Sequence, residues 1–378
     1  MTALHNAVDP DGLLEYSVVY TDRALNHMSK RFQGVMRDIS ALLKEVYVAE
    51  AVAVIPGSGT YGMEAVVRQF AQGKHCMTLR NGFFNFRWSQ IFAVSKIIGE
   101  ETVLKARPIA AGDQAPFAPA PLDEVVKSIR EKRPDLVFAT HVETSAGIIL
   151  PDEYIKQVAA AVHEVGGLLV LDCIASGALW VNMKTLGVDI LTTAPQKGWT
   201  GSPCAGLVML SERALQVMEN TQSDSFAIDL KKWCDIMQSY EDGSHSYHAT
   251  MPTDSLRVFR DVMLEAKRIG FAELTRRQWE LGNKVRALLT DKGFPSLAAE
   301  GYEAPCVVVC YTDDSEIQSG KKFAENGIQI ASGVPLKCDE PAAFSTFRMG
   351  LFGLDKLIHI DRTVDLLRTG LNKIEQGA

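Results

Sequence analysis

Three apolar runs follow one another between residues 166 and 210, and two of them lead into charged residues. Residues 168–171 show no polar–apolar alternation, which is typical of a strand covered on both faces, and this run ends at Asp172. Residues 188–191 lead into Lys197, and residues 205–210 follow a turn rich in glycine and proline. Because helical or turn segments separate these runs, the pattern predicts right-handed crossovers and a mostly parallel sheet.

Asp172 and Lys197 both require a partner, because burial disfavours an isolated carboxylate or ammonium group. A ligand that binds a carboxylate at one point and an amine at another would serve both. Pyridoxal phosphate is such a ligand, since its ring nitrogen takes a carboxylate and its aldehyde forms a Schiff base with a lysine. Either residue alone is also compatible with an ordinary α/β sheet that has a lysine after one strand.

The segment GSGTYG at residues 57–62 lies between a predicted strand, residues 51–55, and a predicted helix. Glycines at a helix start let backbone N–H groups approach an anion, and the helix N-terminus favours negative charge. The segment is therefore predicted to hold a phosphate. It also matches the dinucleotide fingerprint G-x-G-x-x-G. An NADP-dependent reductase stays as an alternative, with Arg80 near the position of the usual acidic residue.

Together these motifs resemble the class V aminotransferases, the alanine–glyoxylate and serine–pyruvate family, from about residue 29 to the C-terminus. The resemblance rests on DCIAS at residues 172–176, QKG at 196–198, the segment GSGTYG and the matching motifs below. It implies a fold-type I α/β protein with a large, mostly parallel seven-stranded sheet domain and a smaller C-terminal α+β domain. It also implies pyridoxal 5′-phosphate as the cofactor and a homodimer with shared active sites.

The resemblance assigns five residues to the ring and aldehyde of the cofactor. Asp172 would pair the pyridine nitrogen, Ile174 would pack on the ring, and Lys197 would carry the Schiff base. Gln196 would bind near the 3′ oxygen. In NGFFNFR, residues 81–87, the family stacks the residue two after the Asn-Gly pair on the ring, which implies Phe84.

The phosphate contacts implied by the resemblance come from two subunits. One subunit would supply the glycine-rich segment and a hydroxyl group that reaches the phosphate or the phenolic oxygen, while the partner would supply a segment that crosses the interface. These residues are Ser58, Gly59, Thr60 and Thr144 of one subunit, and Tyr247 and Thr250 of its partner.

Arg348 lies in the apolar run FRMG, where a charged side chain is costly without a partner. The family places an arginine there to hold the substrate carboxylate in a two-bond fork, and a structural ion pair is the alternative. The predicted reaction moves an amino group from alanine or serine to glyoxylate or pyruvate. Residues 1–28 lack the family's usual Gly-Pro motif, so 2-aminoethylphosphonate–pyruvate transamination and a related pyridoxal-phosphate lyase stay as alternatives.

Composition and charge exclude several other classes of function. A net charge of −7 gives no electrostatic support for binding nucleic acid or an anionic membrane. No apolar run reaches the roughly 18 residues of a membrane span, and the N-terminus does not resemble a signal peptide. The seven cysteines include no CxxC pair, which predicts reduced thiols, no metal site and a cytoplasmic location.

The expected organisation is an N-terminal arm at residues 1–28, a large cofactor-binding domain at 29–255 and a small domain at 256–378. The periodicity predicts single helices at residues 315–326 and 355–374 and a strand at 328–331. Residues 220–253 are polar and are predicted to be irregular.

Overall fold

The computed structural model describes residues 13–376 of the chain. The first twelve residues of the predicted N-terminal arm therefore lie outside the described range. The strands are, in chain order, β1 (Ala51–Pro56), β2 (His75–Arg80), β3 (Glu100–Lys105), β4 (Arg107–Pro108), β5 (Phe117–Ala118), β6 (Leu136–Thr140), β7 (Val142–Glu143), β8 (Ile148–Ile149), β9 (Leu168–Asp172), β10 (Ile190–Thr193), β11 (Ala205–Leu210), β12 (Val307–Tyr311), β13 (Ala331–Ser332) and β14 (Thr346–Gly350).

Helices alternate with these strands in the first two-thirds of the chain and outnumber them afterwards. They are α1 (Lys30–Tyr47), α2 (Gly59–Phe70), α3 (Phe83–Ser95), α4 (Leu122–Lys132), α5 (Asp152–Glu164), α6 (Met183–Leu186), α7 (Glu212–Met218), α8 (Leu230–Glu241), α9 (Thr253–Ile269), α10 (Phe271–Asp291), α11 (Ser315–Gln318), α12 (Lys321–Glu325), α13 (Leu354–Ile358) and α14 (Ile360–Gln376). Within residues 13–376, no helix is both long and apolar enough to cross a membrane.

The main sheet has seven strands in the order β1-β11-β10-β9-β6-β2-β3. Strand β11 pairs antiparallel with both β1 and β10, whereas the pairs among β10, β9, β6, β2 and β3 are parallel. The predicted mostly parallel, seven-stranded sheet is therefore confirmed. The strands β6, β9, β10 and β11 are buried along their whole length, as their continuous apolar runs predict.

A second sheet has three antiparallel strands in the order β12-β14-β13, and helices α10 and α14 pack beside it. The two sheets lie on either side of the predicted boundary at residue 255, which itself stays a prediction.

All seven cysteine thiols are unpaired, and six of them are buried.

Several predicted elements were wrong for local reasons. The predicted helix at 315–326 is two short helices, because Gly320 between them takes a φ of +82°, in the left-handed region that suits glycine. The predicted helix at 355–374 is also divided, at His359, into α13 and α14. The strand predicted at 328–331 shifts to Ala331–Ser332, where pairing with β14 begins. The supposedly irregular residues 220–253 contain α8, whose amphipathic face packs on β1.

Candidate active site

A cavity of about 190 Å³ opens where β6 and β9 end and where α2 begins. Ligands in open α/β sheets bind beyond the carboxyl ends of the strands, so the position is the expected one. Nine of the twelve predicted site residues line this cavity, namely Ser58, Gly59, Thr60, Phe84, Thr144, Asp172, Ile174, Gln196 and Lys197. Residues that lie up to 139 positions apart in sequence are thus brought to one place.

Asp172 is the last residue of β9, and its side chain is buried. Its carboxylate accepts a hydrogen bond from the Ile174 N–H at 2.8 Å, which is its sole hydrogen bond from a residue that the structure describes. Burial raises the pKa of Asp172 from 3.8 to about 7, and the nearby charge of Glu143 adds to this effect. A carboxylate so placed would be stabilised by a ligand that brings a protonated ring nitrogen.

Lys197 stands four residues beyond β10, in a turn closed by a 3.0 Å hydrogen bond from the Thr200 N–H to the Lys197 carbonyl. Its pKa is lowered by burial first and then by the positive charges of Arg348 and Arg87. No carboxylate lies in a salt bridge with Lys197 within the described range. A lysine with a lowered pKa keeps more of its amine in the neutral, nucleophilic form.

The helix turn that carries Phe84 is held by a buried carboxylate, that of Glu143, for which the sequence motifs predicted no role. Glu143 accepts backbone N–H bonds from Phe84 at 3.1 Å and from Asn85 at 2.8 Å, in the first turn of α3. It also accepts from the Ser145 N–H at 2.9 Å. Gly82, just before the helix, has no room for a side chain, since a Cβ would lie 2.2 Å from the Ser145 hydroxyl. Glu143 therefore caps the helix that carries Phe84.

The glycine-rich segment begins α2 as predicted, with Ser58 at the N-cap position and no side-chain cap bond of its own. A Cβ on Gly59 would come within 2.6 Å of the Ile174 side chain, so a glycine is required for this close approach. The Thr60 hydroxyl accepts a 3.1 Å hydrogen bond from Arg87 Nη1. The Arg87 guanidinium therefore lies at the predicted phosphate end of the cavity, a position that the sequence motifs did not predict.

The remaining predicted residues lie outside the cavity lining. Tyr247 and Thr250 are exposed, and their hydroxyl groups are 3.2 Å apart. Their role toward a partner subunit stays a prediction. Arg348, on β14, donates from Nε to the Ser332 carbonyl at 2.8 Å. Its guanidinium carbon lies 5.6 Å from the centre of the Phe84 ring. Arg348 therefore lies beside the Phe84 ring, which also lines the cavity.

The family model of class V aminotransferases matches residues 12–351, which is most of the chain and includes both sheets. The chain belongs to the class V aminotransferase family. Aminotransferases of this family depend on pyridoxal phosphate, so the chain is a pyridoxal-phosphate-dependent transaminase. The resemblance predicted from the sequence motifs is thereby confirmed.

Known relatives of this class V protein act on different substrates. It is 26% identical over 361 residues to the alanine–glyoxylate aminotransferase of Callithrix jacchus, covering 92% of this chain and 82% of that protein. It is 26% identical over 367 residues to the 2-aminoethylphosphonate–pyruvate transaminase of Paraburkholderia phymatum, covering 93% and 90%. The crystal structure of an alanine–glyoxylate aminotransferase from Nostoc sp. aligns with a TM-score of 0.78 at 21% identity, covering 92% of this chain and 88% of that one. Such a structural likeness shows the fold, which is fold-type I.

The dinucleotide alternative is wrong for this class V aminotransferase, and the sheet order gives the physical reason. A dinucleotide fold places its first strand and glycine-rich turn inside a parallel sheet. Within residues 13–376, β1 is an edge strand that pairs only with β11, and the pairing is antiparallel. Among the residues that the structure describes, no group of three or more His, Cys, Asp or Glu side chains could hold a metal ion.

Proposed function

We propose that this class V enzyme binds pyridoxal 5′-phosphate in the cavity and moves an amino group from alanine or serine to glyoxylate or pyruvate. One observation carries the proposal. The buried carboxylate of Asp172 and the amine of Lys197 line the same cavity, and neither has an ion-pair partner within residues 13–376. A single ligand that is cationic at its ring nitrogen and electrophilic at its aldehyde satisfies both.

The other residues of the cavity fit the same cofactor. Gln196 has a buried side-chain oxygen, Oε1, that accepts no hydrogen bond from any described residue, and a buried orphan acceptor of this kind needs a donor. At the end of the cavity formed by α2, the helix N-terminus, the Thr60 hydroxyl and the Arg87 guanidinium provide N–H and O–H donors with positive charge. That end would hold the phosphate, and the Gln196 end would hold the oxygen substituents of the ring.

The residues of this chain would act in the reaction as follows. When bound, the cofactor supplies the electron sink that makes the donor's α-hydrogen acidic. Lys197, displaced when the donor's amine takes its place, would then take that proton at Nζ and act as general base. Asp172 would hold a proton on the ring nitrogen, which maintains the electron sink. Arg348 would orient the donor by gripping its carboxylate in a two-bond fork.

A 2-aminoethylphosphonate donor is the second candidate, and the charge of the site favours it. Arg87 and Arg348 both lie against the Phe84 ring, at 5.3 Å and 5.6 Å from its centre. Neither guanidinium forms a salt bridge with a described carboxylate. With Arg87 taken by the cofactor phosphate, Arg348 could hold the donor's phosphonate in place of a carboxylate. The relative from Paraburkholderia phymatum bears the name of that activity.

We also propose a homodimer in which Tyr247 and Thr250 reach the neighbouring cavity. Both side chains are exposed in the single chain, and their hydroxyl groups contact only each other among described side chains. Tyr20 packs beside this segment and donates to the Met251 carbonyl at 3.1 Å, which fixes the segment on the body of the chain.

The experiment begins with borohydride reduction of purified protein, which should fix the cofactor on Lys197 and on no other lysine. Lys197→Ala should lose the adduct, and Lys231→Ala, a surface control whose amine pairs with Glu219, should keep it. The loss of bound-cofactor absorbance is then measured with alanine, serine and 2-aminoethylphosphonate. Its return is measured with glyoxylate and pyruvate. Ammonia release without an acceptor would identify a lyase, and an adduct on another lysine would refute the proposed site.

A further inference from the structure

The Phe352 ring lies beside the amine of Lys197, a residue that lines the cavity. The Lys197 ammonium nitrogen is 5.3 Å from the centre of this ring. Phe352 follows β14 and stands four residues after Arg348, so the carboxylate clamp and the ring approach Lys197 from the same segment. The ring packs on Gly350, where a Cβ would come within 3.2 Å of it. Phe352 is partly buried against the cluster of apolar side chains around β12.

The segment that carries Phe352 is fixed directly to the turn that carries Lys197. The Leu354 N–H donates to the Thr200 hydroxyl at 3.1 Å, and the Thr200 N–H donates to the Lys197 carbonyl at 3.0 Å. Thr200 has a φ of +62°, an uncommon conformation for a residue with a side chain branched at Cβ, which persists only where the surroundings hold it. The distance between the Phe352 ring and the Lys197 amine is therefore set by structure on both sides.

We infer that Phe352 is a specificity-determining residue whose ring limits the size of the donor's side chain. The inference rests on the proposed function, in which the donor's amine takes the place of Lys197. The donor's α-carbon must then lie within a few bonds of the position of Nζ. Carbon atoms in contact are about 3.5–4.0 Å apart, so a ring centred 5.3 Å away leaves room for a small substituent and meets a longer one. Because the Leu354–Thr200 hydrogen bond ties the segment to the Lys197 turn and the ring packs on the apolar cluster around β12, moving the ring aside would give up that packing.

The class of donor that this geometry selects has a side chain about as large as that of alanine or serine. A longer or branched apolar side chain would have to displace the ring. One methylene too many in a tight apolar pocket changes relative rates by about 10- to 200-fold. A pure cation–π role toward Lys197 would give no such dependence on the ligand's size, and neither would a role in packing alone.

The test uses two α-aminooxy acids, one with a methyl side chain and one with an isobutyl side chain. Both react with the bound aldehyde whether or not the enzyme transfers amino groups, and the loss of cofactor absorbance gives each rate constant. The wild type should react much faster with the methyl compound. Phe352→Ala should lower the methyl-to-isobutyl rate ratio at least tenfold, and Phe352→Tyr should keep it. Phe352→Leu, the milder variant if the alanine protein folds poorly, should lower the ratio by a smaller factor.

Phe344→Leu is the matched control, because Phe344 packs on the same cluster as Phe352, with its ring centre 5.7 Å from that of Tyr311, whereas the ring beside the Lys197 amine is that of Phe352. It should leave the rate ratio unchanged, since a packing defect slows both reagents alike. An unchanged ratio in cofactor-loaded Phe352→Ala and Phe352→Leu would overturn the inference. If the donor screen finds no transamination while the ratio changes as expected, the proposed reaction falls and the role of Phe352 stands.

Discussion

Replacing Asp172 with asparagine should make the apoprotein more stable and the enzyme less able to bind its cofactor. The carboxyl pKa is raised from 3.8 to about 7 by burial and by Glu143. Between these two pH values the folded protein holds a proton that the unfolded chain has lost. The free energy of unfolding therefore falls as the pH rises from about 4 to about 7, and it stays lowered above that. A shift of this size corresponds to at most about 4 kcal/mol at 1.36 kcal/mol per pKa unit.

Urea unfolding of the apoprotein at pH 4.5 and at pH 8 measures this difference. Asp172→Asn should be more stable than the wild type at pH 8, by up to about 4 kcal/mol, and the gain should shrink toward pH 4.5. Titrating groups far from Asp172 are common to both proteins and cancel in the comparison, whereas Glu143 repels Asp172 and its coupling is part of the measured gain. In the loaded enzyme the order should reverse, because an asparagine cannot hold the proton of the ring nitrogen, and cofactor titration should show weaker binding.

Asp189→Asn is the control, because Asp189 is equally buried but has partners. Its carboxylate accepts the Leu169 N–H at 2.8 Å and contacts His163 Nε2 at 2.8 Å. Removing a satisfied buried acceptor should destabilise the protein by about 1–3 kcal/mol at pH 8. If Asp172→Asn also proves less stable than the wild type at pH 8, Asp172 carries no uncompensated charge in the apoprotein. The electrostatic reasoning for its role would then be refuted.

Three further outcomes are expected. Arg348→Lys should lower kcat/KM for the donor by about 30- to 5,000-fold, with cofactor absorbance unchanged. An ammonium group cannot replace the two-bond guanidinium–carboxylate fork, which is worth roughly 2–5 kcal/mol, and full activity would make Arg348 structural. Glu143→Gln should lower the free energy of unfolding by about 1–3 kcal/mol, measured in urea, because the amide nitrogen cannot accept hydrogen bonds from the N–H groups of the helix. Equal stability of the variant and the wild type would contradict the capping role. Mixing Lys197→Ala protein with Tyr247→Phe/Thr250→Ala protein should restore activity by subunit exchange, and no recovery after proven exchange would contradict shared sites.

The sequence predicted the strands of the main sheet well because their signal is local. Buried strands such as β9 and β11 are continuous apolar runs, and the residues just beyond them are polar or glycine-rich. The failures in the last third of the chain have a different origin. A helical periodicity continues through residues 315–326, and one glycine in the left-handed region divides it. Strand β13 exists only because β14 pairs with it, and pairing partners far apart in sequence leave no local pattern.

The cavity shows the same division between local and distant signals. Residues in short motifs, such as Asp172 and Lys197, line one cavity because each stands at or just beyond a strand end, and a strand end can be read from the local sequence. Glu143 and Phe352 were not assigned, since their roles depend on contacts with residues 59 and 155 positions away in the chain. Arg87 gave a usable signal, because it lies one helical turn after Phe84 and so projects from the same face of α3.

The charges around Lys197 explain why this cavity suits a ligand with several anionic groups. Arg87 and Arg348 both lower the pKa of Lys197, and each lies against the Phe84 ring. Negative groups bound at either guanidinium would weaken that effect, so the empty site leaves a larger neutral fraction of the amine that captures an aldehyde. After capture, the phosphate and the donor's carboxylate would neutralise the same two cations and make a charged amine easier to hold. In the proposed reaction this arrangement would match the protonation of Lys197 to the stage, since the amine would have to be neutral to attack and would have to accept a proton afterwards.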